Sequence, residues 1–378
     1  MTVARSGRGR SAARPADRAR HATRLADGRE LIYFDDGPGF DRSAPDRRHV
    51  APEPHDPEIR YDPIHDEWVI IASHRQDRTH LPPAADCPLC PTTPGHPTEI
   101  PAADYHVVAF ENRFPSLVAS ATPRHGSSRT LIRAAGIGRC EVLCLTSDHR
   151  GSFADLDPGR LRTVGRALVD RTIDLSSMPG VEYVFCFENR GEEIGVTLHH
   201  PHGQIYAYPF VPPRIRAALG TAARHATESG RCIFCDVVEA EVAAAERVVV
   251  QTERFVAFVP AAARWPFEVH VYPRQHVPDL RSLRVAEREE MLEVQADVVA
   301  RVSHLFDTPA PYIMGWMQAP VRGGRDRWHL HAEITSSRRS ATKLKYLAGS
   351  ESGVGVFIND IVPEQAAAAL RAARGRRA

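Results

Sequence analysis

The sequence predicts an α+β fold with largely antiparallel sheets, built twice over, and three observations carry that expectation. Segments with strand patterning outnumber those with helical periodicity and follow one another along the chain. That order suits sheet-forming strands with packed helices better than a strictly alternating parallel architecture. A set of Cys-x-x-Cys, His, helix and His-x-His occurs in the first half and again, in the same order, in the second, which is the mark of a duplication. At 378 residues the chain is long for one hydrophobic core and comfortable for two modules of roughly 150–200 residues each.

Taken in order, residues 1–25 carry Arg5, Arg8, Arg10, Arg14, Arg18, Arg20 and Arg24 among small residues with little to bury, and read as a disordered basic arm. An N-terminal module is expected over residues 26–213 and a C-terminal one over residues 214–378, with a connecting segment of helical character near residues 213–231. The first pass opens with Cys87 and Cys90 and continues through Phe110-Glu111-Asn112-Arg113-Phe114. A strand-like Cys140-Glu141-Val142-Leu143-Cys144-Leu145 leads to Asp148-His149, and Leu161, Val164 and Leu168 recur at helical spacing. A further strand over residues 181–187 precedes His200-Pro201-His202. The second pass runs through Cys232 and Cys235, Thr252-Glu253-Arg254-Phe255, a strand over residues 267–272 and Gln275-His276. A helix marked by Met291, Val294, Val298 and Val302 follows, then a strand over residues 312–316 and His329-Leu330-His331. Periodicity makes those apolar stripes core faces and nothing more. The tail from Gly375 is expected to fray.

Lys+Arg 48 against Asp+Glu 47 leaves almost no net charge, which argues against a nucleic-acid binder working through bulk electrostatics. No apolar run approaches the ~18–20 residues of a membrane span, and no signal-peptide core follows the N-terminus. A soluble cytoplasmic protein that binds neither membrane nor nucleic acid is expected. The seven cysteines are an odd number, so they cannot all pair, and close pairs in a reducing compartment read as metal ligands more readily than as disulfides. Cys140, Cys144 and Cys186 lie among apolar residues and read as buried small side chains.

The run His199-His200-Pro201-His202-Gly203-Gln204-Ile205 holds the densest chemistry. Proline fixes its own φ and pushes the residue before it into extended backbone. His200 and His202 are therefore placed on an extended segment, pointing to one side. Gly203 would let the backbone approach a ligand, and Gln204 offers an amide donor beside the second imidazole. A neutral imidazole can attack phosphorus at physiological pH.

Structural zinc asks for four Cys or His donors, commonly opened by a close cysteine pair. The first repeat supplies Cys87, Cys90, His149 and one histidine of the His200 run; the second supplies Cys232, Cys235, His276 and His329. Two zinc ions per chain in closed scaffolding sites are expected, holding the histidine-bearing strands in place.

At His200-Pro201-His202-Gly203-Gln204 the chain resembles the galactose-1-phosphate uridylyltransferases, a branch of the histidine triad superfamily. The likeness extends over Arg60-Tyr61-Asp62-Pro63, Ser73-His74-Arg75, Phe110-Glu111-Asn112, Ser147-Asp148-His149, Phe187-Glu188-Asn189-Arg190-Gly191, Arg339-Ser340-Ala341-Thr342 and Lys345. The resemblance implies a duplicated histidine-triad fold, a homodimer, and a double-displacement exchange between UDP-glucose and galactose 1-phosphate. By motif position His202 would be the nucleophile that carries the uridylyl group, and Gln204 would hydrogen-bond the phosphoryl oxygens. Arg75, Arg78, Asn112, Asn189, Gly195 and Thr197 fall where the family contacts nucleotide and phosphates; Lys345, Ala348 and Glu351 fall where it contacts the hexose phosphate. Ser350 replaces a larger residue of some members at the sugar end.

Some members carry a second metal site, for iron. By motif this chain has Ala218, Met317 and Glu333 at three of its ligand positions and His331 at the fourth, so no iron is expected. The second cysteine pair resembles a two-zinc branch that includes an ADP-glucose phosphorylase, the first alternative; other nucleotide-sugar adenylyltransferases belong with it. A catalytically inactive nucleotide-binding regulator is the second alternative, and His202, Gln204 and Lys345 argue against it. The two histidines must divide their labour, since a nitrogen committed to zinc cannot also attack phosphorus. His200 matches His329 of the second repeat as a ligand, which leaves His202 free.

Overall fold

The structure, a computed structural model, describes residues 19–122, 128 and 130–376. In chain order its strands are β1 (Arg20–Arg24), β2 (Glu30–Phe34), β3 (Glu58–Asp62), β4 (Glu67–Ile71), β5 (Val107–Glu111), β6 (Arg133–Ala135), β7 (Arg139–Cys144), β8 (Tyr183–Arg190) and β9 (His202–Tyr208). The second half adds β10 (Val248–Gln251), β11 (Phe255–Phe258), β12 (Phe267–Pro273), β13 (Tyr312–Met317), β14 (His331–Ser336), β15 (Arg338–Ser340) and β16 (Lys343–Leu344). The helices are α1 (Pro158–Ser176), α2 (Pro213–Ser229), α3 (Ile233–Ala244), α4 (Val285–Ser303), α5 (Gly349–Val354) and α6 (Pro363–Ala372).

Eleven strands form one antiparallel sheet in the order β1-β2-β5-β7-β9-β8-β13-β14-β12-β11-β10. The duplication is written in that order: β2-β5-β7-β9-β8 in the first half pairs as β10-β11-β12-β14-β13 does in the second. The two expected sheets are thus fused edge to edge, through β8 and β13, with Gly315 opposite Phe187 and Tyr312 opposite Arg190. Fusion removes one exposed edge from each repeat, and unpaired edges invite aggregation. A separate three-stranded sheet, β4-β3-β6, stands beside the first half.

The helices α1 and α4 lie together against one face of the large sheet. Asp157 caps α1 by accepting from the Arg160 backbone N–H, and Pro158 occupies its first turn, both favourable choices at a helix start. Leu161, Val164 and Leu168 of α1 and Met291, Val294, Val298 and Val302 of α4 are all buried, and they join one core with Cys186, Ile205, Val269 and Ile334 from the strands. Inside this apolar layer Arg171 of α1 meets Glu141 of β7 through two 2.8 Å hydrogen bonds, with both side chains at most 4% exposed. The expected buried cysteines Cys140, Cys144 and Cys186 are buried.

The basic arm needs correction. Residues 1–18 lie outside the described residues, but Arg20–Arg24 form β1, paired with β2 from Arg20 opposite Phe34 to Arg24 opposite Glu30. Backbone pairing with a sheet edge takes no account of apolar content, and Arg20 finds Asp170 of α1 at 3.2 Å. At the other terminus, Arg376 is held by Asp297 and by the Leu156 carbonyl.

Removing Arg171 would leave the buried Glu141 carboxylate with its 3.2 Å pairing to Arg139 and without its two shorter bonds, a costly loss for a buried charge. Arg171→Ala is expected to lower unfolding free energy by about 3–5 kcal/mol, measured by chemical denaturation; a change below about 1 kcal/mol would show that the pair contributes as little as a surface one.

Candidate active site

The histidine run enters the sheet at its centre. His200 and Pro201 precede β9, and His202 opens it, opposite Cys144 of β7. Strand alternation places His202, Gln204 and Tyr206 on one face while Ile205 and Ala207 enter the helix-side core,. Gly203 is required by its neighbour rather than by a ligand: a Cβ there would stand 2.9 Å from the Phe187 carbonyl oxygen.

The tautomers follow from the acceptors. His202 Nδ1 lies 2.7 Å from the His200 carbonyl oxygen. That oxygen can only accept, so Nδ1 bears the proton and Nε2 keeps its lone pair. Burial lowers the His202 pKa, against the opposing pull of that carbonyl, which favours the neutral, nucleophilic ring. His200 Nε2 lies 2.8 Å from the Thr146 carbonyl oxygen, so its bare nitrogen is Nδ1, which faces Cys90 Sγ at 3.5 Å.

His202 stands in the wall shared by two cavities. The narrower is lined by Arg75, Arg78, Asn112, Thr197, His202 and Gln204, with Leu89, Phe110, Phe114 and Val142 as its apolar walls. The other, of about 730 Å³, takes in Asn189, Arg190, Glu192, His199 and His202. Arg75 comes from the single turn after β4 and is oriented by its Nη1 donating to the Phe114 carbonyl at 2.5 Å. Asn112 Oδ1 accepts from the Phe114 backbone N–H at 2.9 Å. Gly195 lines neither cavity; its φ of +81° ends the short turn that leads into Thr197. Lys345, Ala348 and Glu351 also line neither. Lys345 Nζ is instead paired with Glu351 at 2.6 Å and with the Ile358 carbonyl.

Four donors of the first tetrad converge: Cys87, Cys90, His149 and His200 offer ligand atoms all within 4.8 Å of one another. Cys90 Sγ stands 3.4 Å from His149 Nδ1 and 3.5 Å from His200 Nδ1. A tetrahedral zinc with bonds of about 2.3 Å to sulfur and about 2.0–2.1 Å to nitrogen has S···N edges of about 3.5 Å, so these residues fit the ion. Burial, and after it the neighbouring Cys87 thiol, push the Cys90 thiol up to about 12; a dication among the donors would reverse that cost. In the second tetrad Cys232, Cys235 and His276 form such a group, and His329 stands outside it, although its Nδ1 lies 3.6 Å from Cys235 Sγ.

The matching position to His202 is His331, which opens β14 and holds the same bond, Nδ1 to the His329 carbonyl at 2.9 Å. There the chemistry stops. Glu333 replaces Gln204 and is gripped by both terminal nitrogens of Arg214, at 2.7 and 2.8 Å. Ala218 and Met317 pack in the apolar cluster around Trp328. His331 and His270 flank the Glu333 carboxylate at 3.5 and 3.9 Å, and that carboxylate is already bound to the Arg214 guanidinium.

Sequence reasoning missed Tyr105 and Thr146, which hold His200, because neither belongs to a motif. It quoted Glu188 without a role: the side chain is buried in the wall of the larger cavity, accepts from the Tyr312 hydroxyl at 3.0 Å, and is pushed up to about 7 by burial.

Comparisons with known proteins match this geometry to a family. A model described as galactose-1-phosphate uridyl transferase, N-terminal domain, covers residues 49–212, and one for the C-terminal domain covers residues 219–376. The galactose-1-phosphate uridylyltransferase of Streptomyces lividans is 43% identical over 366 residues, spanning 93% of this chain and 96% of the relative. A solved uridylyltransferase structure superposes with a TM-score of 0.74 at 32% identity, over 83% of this chain and 97% of that one. An ADP-glucose phosphorylase from Arabidopsis thaliana, with a TM-score of 0.63 at 23% identity over 83% and 98% of the two chains, shares the fold alone.

Cys87→Ser is expected to lose metal from the first cluster and with it stability. Binding that favours only the folded state is worth about 4 kcal/mol when free metal exceeds Kd a thousandfold. Elemental analysis beside thermal unfolding checks this; unchanged metal content and Tm would remove the cluster's scaffolding role.

Proposed function

The chain belongs to the galactose-1-phosphate uridylyltransferase family, and we propose that His202 is the residue on which its uridylyl group travels. The activity exchanges the uridylyl group between UDP-glucose and galactose 1-phosphate. The observation that carries the His202 assignment is the bond from its Nδ1 to the His200 carbonyl, which leaves a bare Nε2 in a wall facing two cavities. Nε2 forms a bond to the α-phosphorus of UDP-glucose while the bond to the bridging oxygen breaks, and glucose 1-phosphate leaves with the electron pair. A phosphate oxygen of galactose 1-phosphate then attacks the same phosphorus and returns the ring to neutral. Covalent catalysis of this kind splits one exchange into two displacements at one site.

Arg75 and Arg78 supply guanidinium donors that suit phosphate oxygens, Gln204 an amide directed at developing charge, and Leu89, Phe110 and Val142 an apolar wall for the base. Asn189, in the larger cavity with His202, is assigned to the phosphates. The N-terminal module over residues 26–213 thus carries the chemistry, and the C-terminal module over residues 214–378 the support. Both Cys/His clusters are assigned to zinc, whose part when bound is to hold the histidine-bearing strands. Lys345, Ala348 and Glu351 line neither cavity bordered by His202, and Tyr346, Leu347, Val354, Val356 and Ile358 around them are exposed apolar side chains. Such a patch supports self-association, so the working form is taken as a homodimer in which this segment serves the hexose phosphate of the other copy. No described helix is long and apolar enough to cross a membrane, and the cytoplasm is its assigned compartment. An adenylyl-transferring phosphorylase is the weaker reading, since the relative covering nearly the whole chain carries the uridylyl name.

Incubation with UDP-glucose labelled in the uridylyl group should leave label on the protein, and mass spectrometry should place it on His202. His202→Gly should abolish labelling and turnover with zinc content and fold intact, and wild-type kinetics should be ping-pong. Label on another residue, or persisting in His202→Gly, overturns the assignment.

Loss of a charge-assisted hydrogen bond costs about 1.5–3 kcal/mol, so Arg75→Ala should raise KM for UDP-glucose roughly tenfold to a hundredfold, with less effect on kcat. Unchanged steady-state kinetics with both Arg75 and Arg78 replaced would remove the clamp.

A further inference from the structure

We infer that the two Cys/His clusters are metal sites of unequal strength, and that Tyr105 is the positioning residue that makes the first the tighter. The inference rests on the zinc reading of both clusters given above. A ligating imidazole holds its metal best when its other ring nitrogen is hydrogen-bonded, because that bond sets the tautomer and ring orientation and raises the basicity of the ligating nitrogen. His200 has this support twice over: its Nε2 lies 2.8 Å from the Thr146 carbonyl oxygen and 2.8 Å from the Tyr105 hydroxyl. The Tyr105 hydroxyl donates its own proton to the Leu89 carbonyl at 2.8 Å, so toward His200 it can only accept. Leu89 sits between the two cysteine ligands. One phenol therefore ties the Cys87–Cys90 turn to the imidazole that completes the tetrad, and at 0% exposure no water competes for it.

The second repeat places the same donors without the phenol. His329 is equally buried, and the backbone carbonyls of Gln275 and Pro273 lie by its ring, but among the described residues none makes a well-formed hydrogen bond to its Nε2. Its surroundings are rings, with Tyr272 edge-on at 5.6 Å and His276 at 5.0 Å between centroids. No described side chain ties this ring to the cysteine pair as Tyr105 ties His200, and it stands outside the group that Cys232, Cys235 and His276 make. The second cysteine pair sits at the start of α3, both members only part-buried, whereas Cys87 of the first is 1% exposed. Three converging donors with a fourth outside their group form a site that exchanges its ion; four converging donors whose imidazole is tied to the cysteine turn form one that keeps it.

The test uses zinc-loaded full-length protein, its stoichiometry fixed by elemental analysis, mixed with excess 4-(2-pyridylazo)resorcinol while zinc release is followed by absorbance. Wild type should release two zinc ions in two separated phases, and Cys232→Ser should lack the fast one. Tyr105→Phe, which removes one oxygen from the support of His200, should speed the slow phase by roughly tenfold to a hundredfold and leave the fast phase unchanged. The ranking is read from wild type and Cys232→Ser, so it stands or falls even if Tyr105→Phe folds poorly. Two zinc ions leaving in one phase, a fast phase that survives in Cys232→Ser, or an unchanged slow phase in folded Tyr105→Phe would each overturn the inference while leaving the zinc reading in place. A protein that carries no zinc would overturn both.

Discussion

The site depends on one residue doing two things with opposite ends of itself. The backbone carbonyl of His200 accepts from His202 and so decides which nitrogen of that ring is bare. Its side chain joins Cys87, Cys90 and His149. Proline between the two histidines stiffens the connection, so whatever positions the His200 ring also positions the bare nitrogen two residues on. A rigid Cys/His cluster beside that ring is a means of preorganisation: the nitrogen is held by folding rather than by binding.

The duplicated architecture explains how such a run can be held so firmly. Parted at the seam, the sheet would leave six strands in the first half and five in the second, with open edges at β8 and β13. Pairing these strands satisfies their backbone groups and gives α1 and α4 one continuous surface to cover. His202 opens β9, one strand in from the seam, where it is flanked on both sides by paired strands. Central strands of a covered sheet are the least free to move, and the His202 ring is held there.

The two repeats also show how little separates a working site from a filled one. The bond from the second histidine to the carbonyl two residues before it is kept in both, at 2.7 and 2.9 Å. What differs is the next position on the same face of the strand. Gln204 leaves a neutral donor facing a cavity, whereas Glu333 places a carboxylate there and binds Arg214 from the connecting helix. That ion pair ties α2 to the sheet of the second repeat.

Much of this was legible in the sequence, for reasons tied to particular residues. Cys-x-x-Cys and His-x-His are short motifs whose chemistry depends on residue type, so the donors of the first cluster could be named before any fold was known, while the roles of His202, Arg75 and Arg78 came from the family resemblance. The helical stripes of α1 and α4 and the strand patterning of β7, β8, β12 and β13 were readable because one-sided burial imposes a period. Other features have no local signature. Fusion of the two sheets is a long-range pairing of β8 with β13, and the strand at Arg20–Arg24 exists because β2 offers it an edge, against everything its composition suggests. The grip of Tyr105 and Thr146 on His200, and the want of a matching phenol at His329 among the described residues, are set by where distant segments come to rest. Residue types determined which chemistry this protein can do; only packing decided which imidazole is anchored, which nitrogen is bare and which of two similar sites remains open.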